Sequence, residues 1–230
     1  MREIVLDTET TGFDPLTGDR LVEIGCLELM NHIPTGRNFH RYLNPEREMP
    51  EAAFRIHGLS TDFLADKPKF AELAGDFLAF IEDAPLVIHN AEFDLKFINW
   101  ELEKVGQRAL PMSRAIDTVI MARKKFPGAP ASLDALCKRF NIDNSNRTLH
   151  GALLDAQLLA DVYLELLGGR QTGLTLAAED AGTAEMSFAK RNAAAGDRPA
   201  RPPRAFPPSA EELEAHAAFV AKLKNAVWLQ

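Results

Sequence analysis

Ile4-Val5-Leu6 is the stretch that most narrows the folds open to this 230-residue chain. Apolar and partly β-branched, it is too short for a helical face and reads as a buried strand. It runs straight into Asp7, Thr8 and Glu9, and then into a tight turn at Thr10-Thr11-Gly12. Successive strand residues point to opposite faces, so Asp7 and Glu9 share one face while Thr8 turns to the other. Carboxylates are mostly solvated, so a pair placed at the end of a buried strand asks for a chemical reason.

The rest of the chain supplies the surroundings such a strand needs. Residues 2–7, 21–30 and 39–43 read as strands, with Gly18 and Gly36 as turn signals. Residues 61–82 carry apolar residues at helical spacing (Phe70, Leu73, Phe77, Leu78, Ile81), with Pro68 punctuating the entry. Residues 85–90, "PLVIHN", form another short buried strand. Helices follow over 91–105, 118–126, 132–140 and 151–167. Strands first, then strand and helix in alternation, predict an α/β (mixed α+β) domain with a central mixed sheet flanked by helices.

At Gly168-Gly169 the composition changes. Residues 169–208 are rich in Ala, Gly and polar groups, and "RPARPPRAFPP" holds five of the fourteen prolines, which reads as a linker. Residues 209–230 regain helical periodicity. Ser209 and Glu212 make a capping box, and Leu213, Ala217, Val220, Leu223 and Val227 form one apolar stripe ending at Trp228. A single helix cannot bury its own stripe, so this segment is expected to dock on a partner. The expected division is therefore 1–168, 169–208 and 209–230.

Charge limits the partners. The net charge is -7, and residues 1–167 hold 18 basic against 26 acidic side chains. An acidic domain binds polyphosphate poorly by itself, so metal ions or a partner protein must supply the attraction to any nucleic acid. No apolar stretch approaches the roughly 20 residues that span a bilayer, and the start lacks a signal-peptide pattern. Cys26 and Cys137 sit in apolar contexts without metal-like spacing and read as reduced core residues of a cytoplasmic protein.

Two further places carry informative acids. Asp94, in "VIHNAEFDLKF", opens a helix, where the dipole favours a carboxylate. Asp155, in "LHGALLDAQLL", sits in an apolar window where an unpaired charge is costly, whereas Asp161 and Glu165 fall on the polar side. His150 precedes Asp155 by five positions, about 140° apart on one ideal helix, so it belongs to the preceding loop and reaches inward from another direction. Four acids and one histidine make chemical sense together. Mg²⁺ and Mn²⁺ prefer oxygen ligands, and two such ions about 3.5–4 Å apart can clamp the attacking and leaving oxygens of a phosphodiester. An imidazole with an ordinary pKa near 6.5 suits removal of a proton from water. Neither a nucleophile elbow nor a phosphate-binding glycine loop competes with this reading.

"DTETTG", "HNAEFD" and "HGALLDA", in this order, resemble the three motifs of the DEDDh 3′→5′ exonucleases, and most nearly the proofreading subunits of bacterial replicative DNA polymerases. The resemblance covers residues 1–167 and continues into the tail. It implies a ribonuclease H-like fold, with Asp7, Glu9, Asp94 and Asp155 as the acids for two Mg²⁺ or Mn²⁺ ions and His150 as the general base. It implies that His57, in "RIHGLS", contacts the terminal nucleotide together with Phe93 and the ligand acids Asp7, Glu9 and Asp155. "QTGLTL", residues 171–176, falls where such subunits carry a sliding-clamp peptide, which would place Gln171, Leu174 and Leu176 on the clamp, although Leu176 stands where an aromatic is commoner. Residues 209–230 resemble the polymerase-binding segment, and a small stabilising subunit is left open. Three functions stay in play: proofreading of mismatched DNA 3′ ends, RNA trimming by the same chemistry, and a non-enzymatic scaffold joining polymerase to clamp.

Overall fold

The computed structural model describes residues 1–147, 149–169 and 207–222. They fall into two units divided after Leu174. The first contains a five-stranded sheet in the order β3-β2-β1-β4-β5. Strands β1 (Arg2–Thr10), β2 (Leu21–Met30) and β3 (Ile33–Tyr42) form an antiparallel meander, and β4 (Leu86–Ile88) and β5 (Ala115–Asp117) run parallel to β1.

β1 therefore lies in the middle of the sheet, and helices cover both of its faces. Ile4 and Leu6 pack with α3 (Phe70–Ile81) and α4 (Ala91–Lys104), through Phe77, Phe97 and Ile98. Val5 points the other way, into a second core made by α5 (Thr118–Lys125), α6 (Leu133–Phe140) and α7 (Ala152–Leu166). Ile4, Val5 and Leu6 are all fully buried, which is why the run is apolar at every position rather than at alternate ones. The fold is mixed α/β, as the order of strands and helices predicts.

Several elements differ from the sequence expectation. Residues 61–82 are not one helix. Thr61–Leu64 forms the single turn α2, capped where Ser60 Oγ accepts from Phe63 N, and α3 starts afresh at Phe70 after Pro68, because proline disfavours helical backbone in the residue before it. β3 begins six residues earlier than its apolar pattern suggests, since Ile33–Asn38 is exposed and is held to β2 by backbone pairing and by Thr35 and Arg37, which both bond the Glu28 carboxylate. Helix α1 (Glu51–His57) and strand β5 gave no sequence signal. Only Ala53 and His57 of α1 are buried, and all three β5 residues are half-buried.

In the second unit, Ala210–Val220 forms α8. Its first turn carries the expected capping box: Ser209 Oγ accepts from Glu212 N at 3.2 Å and Glu212 Oε2 from Ser209 N at 2.8 Å. Gln171, Leu174 and Leu176, nearly all of the linker, and Leu223, Val227 and Trp228 lie outside the described residues. Among the described residues no helix is long and apolar enough to cross a membrane.

One glycine sets how closely α7 approaches the sheet. Gly25 pairs with Asp7 across the β1–β2 ladder, and paired residues present their side chains on the same face. A Cβ at Gly25 would lie 2.3 Å from the carbonyl carbon of Ala152. The missing side chain lets the first turn of α7 rest on β2 beside Asp7. Gly25→Ala is expected to cost about 1–3 kcal/mol, the range for overpacking, in a urea titration of the full chain. It should also reduce the stabilisation given by Mn²⁺, because α7 carries Asp155. Unchanged stability and Mn²⁺ response would show that the close contact is dispensable.

Candidate active site

Three chain segments deliver the acids to one place. Asp7 and Glu9 stand at the end of β1, Asp94 in the first turn of α4 and Asp155 in the first turn of α7. All four line one cavity of about 320 Å³, with His150 at its margin. His150 belongs to the loop before α7, as its spacing predicts, and its backbone N donates to Ile56 O at 3.0 Å. The unread helix α1 thus tethers the histidine loop. Glu9, His150 and Asp155 each offer one ligand atom, and these atoms lie within 4.8 Å of one another. Asp7 and Asp94 share the cavity without belonging to that tight group.

Thr8 turns away from Asp7 and Glu9, and this makes it useful. Its Oγ1 meets α4 on the opposite face and donates to Asp94 Oδ1 at 2.7 Å. The helix start that carries Asp94 is held from outside. Asn90 enters the helix in the left-handed region (φ 71°), and Ala91 N donates to Asp117 Oδ2 at 2.9 Å. The other oxygen of Asp117 accepts from Val119 N and Ile120 N, so one carboxylate pins the starts of α4 and α5 together.

Arg147 is the group that sequence reasoning missed. Its Nε donates to Asp155 Oδ1 at 2.5 Å and its Nη2 to Oδ2 at 2.7 Å. Nη1 reaches Asp134 Oδ1 at 2.9 Å, and Nη2 lies 2.9 Å from His150 Nδ1. An arginine in a polar loop eight residues before Asp155 reads as surface charge, yet its side chain is only 8% exposed. The costly charge of Asp155 in its apolar window is therefore paired.

His57 and Phe93 border a second hollow of about 400 Å³, lined also by Glu9, Gly12 and Ile56. Phe93 is half-buried on the wall that this hollow shares with the acid cavity, its ring 5.2 Å from that of Phe97. His57 is buried; its Nδ1 accepts from Leu59 N at 3.0 Å, and its Nε2 faces the Thr10 backbone without completing a hydrogen bond of full geometry. Burial lowers its pKa, which favours a neutral ring with the proton on Nε2.

The acids crowd one another. Burial, followed by repulsion from Asp94, Glu9 and Asp155, raises the Asp7 pKa well above the ordinary carboxylate value. Glu9 is pushed up to about 8 by burial, then by Asp155 and its cross-strand partner Glu23. Asp94 is raised to about 7 by burial, which outweighs the hydrogen bond from Thr8. The guanidinium of Arg147 opposes the shifts of Asp7 and Glu9 without cancelling them. A pocket that resists its own ionisation, lined by carboxylate oxygens and the imidazoles of His89 and His150, suits a hard divalent cation.

This is the architecture of a nuclease that works through carboxylate-bound metal. The exonuclease family model (RNase_T) matches residues 4–163. The chain is 50% identical over 226 residues to the DNA polymerase III subunit epsilon of Rickettsia felis, covering 97% of each. It is 50% identical over 186 residues to the subunit of the same name from Escherichia coli K12, covering 77% of this chain and 76% of the other. The solved nuclease domain of 3′hExo, described as a DEDDh family member bound to rAMP, superposes with a TM-score of 0.61 at 18% identity, over 72% of this chain and 91% of that one. The chain belongs to the exonuclease family, as a DEDDh-type 3′→5′ exonuclease related to the epsilon subunits of DNA polymerase III.

The raised acids have a consequence for stability. In the metal-free fold Glu9 and Asp94 keep their protons until pH nears 8 and 7, whereas in the unfolded chain they ionise near pH 4. The folded state binds more protons across that window, so its stability falls as pH rises through it. Thermal melts in chelator should give a lower Tm at pH 8 than at pH 5.5, and Mg²⁺ should narrow the gap. A metal-free Tm that climbs over this range would contradict the electrostatics of the site.

Proposed function

We propose that this exonuclease removes mismatched nucleotides from DNA 3′ ends as 5′-monophosphates while bound to the replicative polymerase. The observation that carries this reading is the convergence of Asp7, Glu9, Asp94 and Asp155 in one cavity with His150 at its edge. These four acids would hold two Mg²⁺ or Mn²⁺ ions, which would neutralise the scissile phosphate and stabilise charge on the attacking and leaving oxygens. The roles of the chain's own groups follow from their positions. His150, half-exposed where the cavity meets solvent, takes the proton from the attacking water. His57 turns its Nε2–H to the terminal sugar, and Phe93 offers a ring face to the terminal base. Unpaired ends are preferred because splaying the last nucleotides costs less when they are already frayed.

The tail supports the polymerase assignment. A full-length match to epsilon subunits agrees with a chain in which 209–230 binds the polymerase, residues 171–176 (Gln171, Leu174, Leu176) reach the sliding clamp, and 169–208 tethers the two. Tethering raises local concentration and removes the need for a basic surface. Such a subunit works where the chromosome is copied, in the cytoplasm.

Digestion of a mismatched primer-template, its matched counterpart and an RNA of equal length tests the assignment. With Mg²⁺ or Mn²⁺ the mismatched DNA should be shortened fastest. His150→Gln should lower the rate by roughly 10²–10⁴, the usual worth of a general base, and Asp7→Ala should abolish hydrolysis while polymerase binding persists. Efficient RNA trimming with inert DNA would overturn the proofreading assignment.

A further inference from the structure

Arg147 and divalent metal have claims on the same carboxylate. The guanidinium fork occupies both oxygens of Asp155, and Asp155 is one of the three residues whose ligand atoms cluster within 4.8 Å. Its side chain is only 4% exposed and opens onto the acid cavity, so a cation binding there reaches a carboxylate whose two oxygens the guanidinium already holds. The same Nη2 also lies 2.9 Å from His150 Nδ1, which itself stands 3.5 Å from Asp155 Oδ2, so the guanidinium touches both the histidine and the acid. A cation that enters this cluster meets a like charge within a few ångströms, in a site where low polarity strengthens the repulsion. Arg–carboxylate forks are among the stronger polar contacts, so the conflict is not a weak one.

The structure also provides somewhere for the side chain to go. Nη1 already bonds Asp134 Oδ1, whose side chain is 60% exposed on the first turn of α6. Arg147 sits in the loop between α6 and α7, where Arg147 N donates to Asn144 O and Asn144 Nδ2 donates to Asp134 Oδ1. Letting go of Asp155 while keeping Asp134 needs only side-chain rotation within one loop.

We propose that Arg147 is an internal counter-cation that competes with divalent metal for Asp155 and withdraws toward Asp134 when metal is bound there, freeing His150. This rests on the reading of Asp155 as a metal ligand. The guanidinium stabilises the acid cluster before metal arrives and sets a threshold for metal loading. After withdrawal it places a positive charge at the rim of an otherwise acidic cleft, facing an incoming phosphate backbone.

Mn²⁺ titrations of the full chain, followed by the paramagnetic signal of free Mn²⁺, test the exchange without reference to activity. Arg147→Lys keeps the charge and loses the fork, and Arg147→Gln loses both. Each should bind Mn²⁺ roughly tenfold more tightly than the wild type, the worth of one charge-assisted hydrogen bond. Both should melt below the wild type in chelator and close that gap at saturating Mn²⁺. In the unmodified chain, the Nε–H of Arg147, which donates to Asp155, should exchange slowly with solvent without metal and lose that protection when Mg²⁺ is added, a reading that needs no variant to fold. Unchanged or weaker Mn²⁺ binding in Arg147→Lys, or an Nε–H still protected at saturating Mg²⁺, would overturn the proposal. Mn²⁺ binding indifferent to Asp155→Asn would overturn the ligand assignment beneath it.

Discussion

Repulsion among carboxylates where water is scarce is the constraint on which the rest of this structure depends. Asp7, Glu9, Asp94 and Asp155 come from three segments, and the fold opposes their mutual repulsion with a few specific contacts. Thr8 donates to Asp94, Arg147 forks Asp155, and the starts of α4 and α7 put positive helix ends beneath two of the acids. Burial first, and repulsion second, raise the pKa values of Asp7 and Glu9, while burial raises that of Asp94. Hard divalent cations relieve that repulsion, so the same crowding that burdens the fold drives metal binding.

The scaffold is arranged to keep that cluster together. β1 lies at the centre of the sheet, fixed by antiparallel pairing to β2 on one side and parallel pairing to β4 on the other. Gly25 lets α7 settle against the sheet beside Asp7, and Asp117 binds the start of α4 to α5. The loop bearing His150 hangs from α1 through one backbone hydrogen bond. It is the least embedded part of the site, which suits a group that must meet solvent and substrate in turn.

The legible parts of this molecule were those written in local pattern. The apolar run of β1, the helical spacing of α3 and α7 and the capping box at Ser209 each follow from neighbours along the chain. The acids were legible because a charge in an apolar window is costly enough to stand out. What sequence did not announce depends on contacts distant along the chain. Exposed β3 residues 33–38 are held by backbone pairing and by polar contacts to Glu28, and α1 buries too little to show a stripe. Arg147 looks like loop polarity until the fold brings Asp155 to it. Thr8 was read only as the residue facing the other way, and nothing local says that Asp94 waits there.

The most direct test of the central claim, that these acids form one cage for paired divalent cations, is anomalous diffraction from crystals soaked in Mn²⁺ and a nucleoside 5′-monophosphate. The account predicts two anomalous peaks about 3.5–4 Å apart among Asp7, Glu9, Asp94 and Asp155. Peaks found only on surface carboxylates, with the cavity free of Mn²⁺ at saturating concentration, would contradict it.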